Sequence, residues 1–161
     1  MDNFKIYKRI LKEVKCLDKK YSNLKHYKQE NDNNIYGNEI YIIEFDYNNK
    51  KKMRFKLPTD FPFKQPTFLI NNINYKNILC ISDEFTRNEI KKYSINNCLC
   101  INSVVCNSNW SPALKLTYII EEYERYKKIM EVIIIKKWLI YFWNKKQIPA
   151  IELVDKIIYF I

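Results

Sequence analysis

Apolar residues recur every three or four positions near the start of the chain, at Tyr7, Ile10, Leu11, Val14 and Leu17. This spacing predicts a helix over 4–17 with one buried face. Asp2 or Asn3 can cap its first turn. Lys5, Lys8, Arg9, Lys12, Lys15 and Lys19 crowd the rest of its surface. The period then shortens from about 3.6 residues to about 2. Residues 24–28 predict a short strand, and a polar run at 29–34 follows it. Tyr41, Ile43, Phe45 and Tyr47 alternate with Ile42, Glu44 and Asp46; Met53, Phe55 and Leu57 alternate with Lys52, Arg54 and Lys56. Between them Asn48-Asn49 supplies turn chemistry, because asparagine tolerates positive φ. These are the two arms of an antiparallel hairpin with one apolar and one wet face.

Pro58 and Pro62 end the second arm, since proline has no N–H for a ladder. Residues 67–70 then read as a fourth strand. Helical spacing returns at 115–130 through Leu116, Ile119, Ile120 and Tyr123, and again at 132–143. Pro149 suits the first position of a last helix, with Ile151, Val154, Ile157, Ile158 and Ile161 facing inward. The expected fold is α+β: an N-terminal helix, a four-stranded antiparallel meander, a loop region and C-terminal helices. No repeat or linker divides it, so residues 1–161 are read as one domain.

Composition narrows the chemistry. With 47% hydrophobic and 29% charged residues the chain can build a core and is neither a disordered tail nor a membrane bundle. The longest apolar region, 129–143, is interrupted by Glu131, Lys136 and Lys137, so no membrane partner is expected. The opening residues show no secretory apolar stretch, and none of the five cysteines forms a C-x-x-C pair. Reduced thiols and a cytoplasmic or nuclear location are the expectation. Gly37 is the single glycine, which excludes a glycine-rich phosphate loop. Cys80, Cys98, Cys100 and Cys106 lack the paired spacing of structural zinc sites, and His26 is the only histidine. Neither a metal nor a cofactor is expected. The net charge of +10 reads as a solvated lysine-rich surface or as attraction to an acidic protein or nucleic acid. No nucleic-acid-binding motif accompanies it.

One pentapeptide is unusual: Trp110-Ser111-Pro112-Ala113-Leu114, beginning twelve residues after Cys98 in Cys98-Leu99-Cys100-Ile101. Together these resemble the centre of the ubiquitin-conjugating (E2) family, where Cys-Leu-Asp-Ile-Leu precedes Trp-Ser-Pro-Ala-Leu. Asp60-Phe61-Pro62-Phe63-Lys64-Gln65-Pro66 is similar to the family's Asp-Tyr-Pro-Phe-Lys-Pro-Pro. Lys8-Arg9-Ile10-Leu11-Lys12-Glu13 resembles its first helix. The resemblance covers roughly residues 4–130 and implies a UBC-like fold. It also implies that Cys98 carries ubiquitin or a ubiquitin-like protein as a thioester. Lys5, Lys8, Arg9 and Lys12 would meet the activating enzyme (E1), and Phe63, Pro112 and Ala113 a ligase (E3).

The chemistry requires a nucleophilic thiol and a donor to the tetrahedral oxyanion. The family's His-Pro-Asn falls at Tyr75-Lys76-Asn77, so only Asn77 remains for the second role. Asn77 precedes Cys98 by twenty-one residues, more than in the family pattern, so 79–94 would form an inserted loop or small helix. The family's Pro-Asn-Pro-x-Asp-Pro stretch is absent, and no residue is assigned to deprotonate the incoming lysine. Three functions are consistent with these residues: an active E2-like transferase, a catalytically inactive variant that binds ubiquitin or a partner, and a basic nucleic-acid-binding domain.

Overall fold

The computed structural model describes residues 3–29, 40–48, 50–80, 83–93, 103–105 and 109–145. Helix α1 (Asn3–Asp18) leads into strands β1 (Ser22–Gln29), β2 (Ile40–Tyr47), β3 (Lys51–Leu57), β4 (Thr67–Ile70) and β5 (Ile73–Asn74). Helices α2 (Tyr75–Leu79), α3 (Glu84–Lys91) and α4 (Leu116–Asn144) follow. The strands form one antiparallel sheet in sequence order.

The expected hairpin is β2–β3, with Tyr41 opposite Leu57, Ile43 opposite Phe55 and Phe45 opposite Met53. All six point into the core, as period-2 alternation on a one-sided sheet requires. Asn48 takes φ 53° in the turn, within asparagine's tolerance. The wet face carries the Glu44–Arg54 ion pair at 2.6 Å. In β1 the register shifts between Ser22 and Lys25. There Asn23 sits at φ 55° and its side-chain amide donates to Asp46 at 2.6 Å. This is the local signature of a bulge.

The sheet departs from the expected count of four strands. Asn71 and Asn72, at φ 48° and 66°, make a tight reversal that adds β5, and Asn71 Oδ1 accepts from Lys52 N at 2.9 Å. Two residues are too few to show alternation, and the turn reads in sequence only as more asparagine. The expected break between 130 and 132 is also absent: α4 runs unbroken for 29 residues. Nothing between Pro112 and Pro149 is glycine or proline, so nothing ends a helix there. The last helix expected from Pro149 onward lies outside the described residues.

Helices α1 and α4 contribute Ile10, Val14 and Leu17, and Leu116, Ile119, Ile120, Tyr123 and Tyr126, to a single core against the sheet. Aromatic rings fill it. Phe55 stacks on Phe68 with centroids 4.6 Å apart, and Tyr75 meets Phe68 and Tyr123 edge-on at 5.6 and 5.9 Å. Such pairs add to their area burial. Helix α3, in the expected insertion, is capped by Asp83, which accepts from Thr86 N at 3.0 Å. The hydroxyl and N–H of Thr86, with Lys137 at 3.2 Å, hold the Asp83 carboxyl down to about 2.

Candidate functional site

Two loops carry the unusual strings. In the first, Phe61 is buried, its N–H donates to Pro58 O at 3.0 Å, and Phe63 N donates to Asp60 O at 2.9 Å. These turns push Phe63 outward, where it is 57% exposed. In the second, Leu114 N donates to Ser111 O at 2.9 Å, leaving Pro112 and Ala113 on the surface. Trp110 joins the loops: its indole N–H donates to Pro62 O at 2.8 Å and its ring lies 6.2 Å from that of Phe61. Phe63 follows the acceptor by one residue and Pro112 follows the donor by two. The three expected ligase-contact residues are thus exposed on two loops that meet.

Helix α1 holds the second loop from the other side. Arg9 Nη1 and Nη2 donate to Pro112 O at 3.1 Å and Leu114 O at 2.7 Å, while Nε donates to Glu13 at 2.8 Å. The other Glu13 oxygen accepts from Leu116 N at 3.0 Å, at the first residue of α4. A helix N-terminus has N–H groups without internal partners and attracts negative charge, so a buried carboxylate fits there. Arg9 was expected among the docking cations, but its guanidinium is turned inward onto this loop. Lys8 and Lys12 are exposed on the same helix, and the Lys5 side chain lies outside the described residues.

Cys98 lies outside the described residues, with all of 94–102. The chain is described again at Ser103, where a second buried acid takes hold. Glu122 of α4 accepts from the Ser103 hydroxyl at 2.5 Å and from Val104 N at 2.6 Å. Ser103 Oγ accepts from Val105 N at 3.2 Å, and its carbonyl accepts from the Asn109 amide at 3.1 Å. A carboxylate in this position ties Ser103 and Val104 to α4.

The string 75–77 divides. Tyr75 is sealed in the core. Its hydroxyl is buried without a hydrogen-bond partner among the described residues, and burial, reinforced by the nearby Glu122 charge, raises its pKa. Asn77 is exposed on α2, which Asn74 caps by accepting from Lys76 N at 3.0 Å. The Asn77 carbonyl accepts from Cys80 N at 3.2 Å. Beyond it, α3 packs on α4 through buried Ile90 and through the pairs Asp83–Lys137 and Glu89–Lys136, at 3.2 and 3.3 Å. A cleft of about 190 Å³ opens between the first loop and the start of α2, walled by Lys64, Thr67, Asn74, Lys76 and Val105. His26 bonds Tyr41 through Nδ1 at 2.6 Å. Of the cysteines weighed as zinc ligands only Cys80 is described, and it is exposed. Among the described residues no three His, Cys, Asp or Glu side chains are placed to hold a metal, and no helix is long and apolar enough to cross a membrane.

Sequence reasoning missed Glu13 and Glu122. Each had a signal: Glu13 interrupts the apolar stripe of Ile10, Val14 and Leu17, and Glu122 that of Ile119, Ile120, Tyr123 and Tyr126. An acid on a buried stripe implies a fixed partner. Comparison of the chain with protein-family models, with curated proteins and with solved structures gave no match.

Proposed function

We propose that this protein is a divergent E2-like transferase. It accepts ubiquitin or a ubiquitin-like protein from an activating enzyme as a thioester on Cys98 and passes it to a lysine. The observation that carries this reading is the bond between Trp110 and Pro62. It unites the strings at 60–66 and 110–114, forty-eight residues apart at the bond, and leaves Phe63, Pro112 and Ala113 exposed together. In the proposed reaction the Cys98 thiolate attacks the activated acyl carbon and the previous carrier thiol leaves. In the second step a lysine amine attacks the thioester, and the Cys98 thiol is released. The test is incubation with activating enzyme, ATP and ubiquitin, followed by electrophoresis with and without reductant. A reducible adduct supports the reading, and its absence favours the runner-up.

That runner-up is a catalytically inactive variant that binds ubiquitin or a partner. The observation favouring it is Asn77, exposed on a helix, with Tyr75 and Lys76 standing where the family has histidine and proline. If Asn77 serves the oxyanion, Asn77→Ala should leave thioester formation largely intact. It should slow discharge to lysine on the order of a hundredfold, the usual effect of losing one such donor. Single-turnover discharge of the preformed adduct measures this, and an unchanged rate would remove Asn77 from the chemistry.

The basic face of α1 yields a separate expectation. Lys8→Glu with Lys12→Glu should slow charging through the association rate with the activating enzyme. The defect should shrink as salt rises, because separations beyond about 10 Å are screened at 0.1 M. Arg9 is left intact in this test because it holds the 110–114 loop. Equal charging rates at low salt would leave these lysines as a solvated face.

A further inference from the structure

The second half of α4 is apolar on both of its sides. Between Val132 and Phe142 the only charged residues are Lys136 and Lys137, which pair with Glu89 and Asp83 around α3. Ile129, Met130 and Ile133 pack into the core. Ile134, Trp138, Tyr141 and Phe142 face solvent instead and are 47, 57, 48 and 38% exposed. Trp138 stacks on Phe142 with centroids 5.9 Å apart and meets Tyr141 edge-on at 6.0 Å, so the rings make one patch. A helix with apolar residues on its core side and on its solvent side has a second face to bury. The ends of this patch carry opposite charges. Glu131 lies three residues before Ile134, and its 3.4 Å pair with Lys127 leaves both side chains about half exposed. At the other end the Lys145 ammonium lies 4.7 Å from the Tyr141 ring centre, and Lys145 N donates to Phe142 O at 3.2 Å, which carries the helical turn past Asn144. Positions 131, 134, 138, 141 and 145 recur at steps of three and four, the spacing that keeps one seam turned toward a second helix.

We propose that this patch pairs with the same patch of a second copy, the two helices running antiparallel and crossing near Trp138. Charge and area favour this occupant. An isologous contact must be complementary to itself. Antiparallel helices set Glu131 of each copy toward Lys145 of the other, with the rings and Ile134 between them. A parallel pair sets Glu131 against Glu131 and Lys145 against Lys145. The present Glu131–Lys127 pair is exposed, so little is lost when Glu131 turns to a second cation. Aromatic side chains of this kind bury about 150–250 Å² each, so at these exposures the patch offers roughly 300 Å² of apolar surface per copy. Two copies then withdraw roughly 600 Å² of apolar surface; with homodimer interfaces about 65% apolar, the whole contact comes close to the roughly 1,000 Å² at which specific interfaces begin. A contact of that size gives a dimer that dissociates on dilution. The proposal does not depend on the thioester chemistry.

The test is sedimentation of the whole chain from low micromolar to several hundred micromolar protein. The mass should rise from monomer to dimer across that range. Trp138→Asp should remain monomeric throughout, because it places a charge at the centre of the contact. Glu131→Lys alone and Lys145→Glu alone should each raise the dissociation constant severalfold, since each sets like charges together. An equal mixture of these two variants should recover the native affinity, which also shows that both are folded and keeps the test decisive if Trp138→Asp does not fold. A monomer mass at every concentration would overturn the proposal, whether the face is then covered by another part of the chain or, if vesicles of phosphatidylserine and phosphatidylcholine bind it, by a lipid surface. A dimer that persists in folded Trp138→Asp would place the contact elsewhere. Single charge variants that dimerise as well as the native chain would refute the antiparallel pairing.

Discussion

Cys98→Ala should leave no reductant-sensitive ubiquitin adduct after incubation with activating enzyme and ATP. In the proposed reaction the thiol forms the covalent bond, and a methyl group has nothing to replace it. Cys98→Ser should accumulate a slower adduct that survives reductant, because a hydroxyl is the poorer nucleophile and its product is an ester. Cys80 is the sharpest control. It is an exposed thiol at the end of α2, whereas Cys16 on α1 is half-buried. An adduct that persists in Cys98→Ala and vanishes in Cys80→Ala or Cys100→Ala would move the chemistry to another sulfur.

The largest effect on stability is expected at Glu13. Its side chain is 3% exposed and serves two partners at once, Arg9 Nε at 2.8 Å and Leu116 N at 3.0 Å. Glu13→Ala takes the carboxylate partner from the half-buried guanidinium and removes the acceptor at the start of α4. Breaking a buried pair by deleting one partner typically costs about 3–5 kcal/mol. In a domain of this size that lowers the melting temperature by roughly 10 °C. Glu13→Gln keeps a carbonyl oxygen for Leu116 N and should cost clearly less. Denaturant melts of both variants and of Arg9→Ala, closed as a double-mutant cycle, measure the coupling. A loss below about 1 kcal/mol in Glu13→Ala is what an exposed pair gives and would refute the tie.

The parts of this molecule that were legible in its sequence are those governed by a local period. The β2–β3 hairpin follows from alternation because one face meets the core, and α1 from a stripe ending at Leu17. The bounds of β4 follow from the prolines before it. A small helix in the insertion, α3, also emerged where the spacing from Asn77 to Cys98 demanded extra chain. What escaped was long-range. Arg9 and Glu13 read as one more cation and one more anion on a charged helix, because their partners at Pro112, Leu114 and Leu116 are more than a hundred residues away. Glu122 escaped for the same reason, since its partner Ser103 lies in a segment with no period of its own. Strand β5 is too short to alternate, and α4 continues past Met130 because packing and the lack of a breaker outweigh the weakening of its pattern.

The tie between Glu13 and Leu116 also fixes an order of events during synthesis. The two groups are 103 residues apart, so at ribosomal speed the first helix waits roughly 5–20 s for its partner to emerge. Through that interval Glu13 has only Arg9, on its own helix, for a partner, and the sheet lacks the apolar side chains that α4 adds to the core. The nascent chain therefore passes through a stage in which the apolar face of the sheet is only partly covered. Only emergence of the long helix ends it, joining the first helix made to one that begins 103 residues after Glu13.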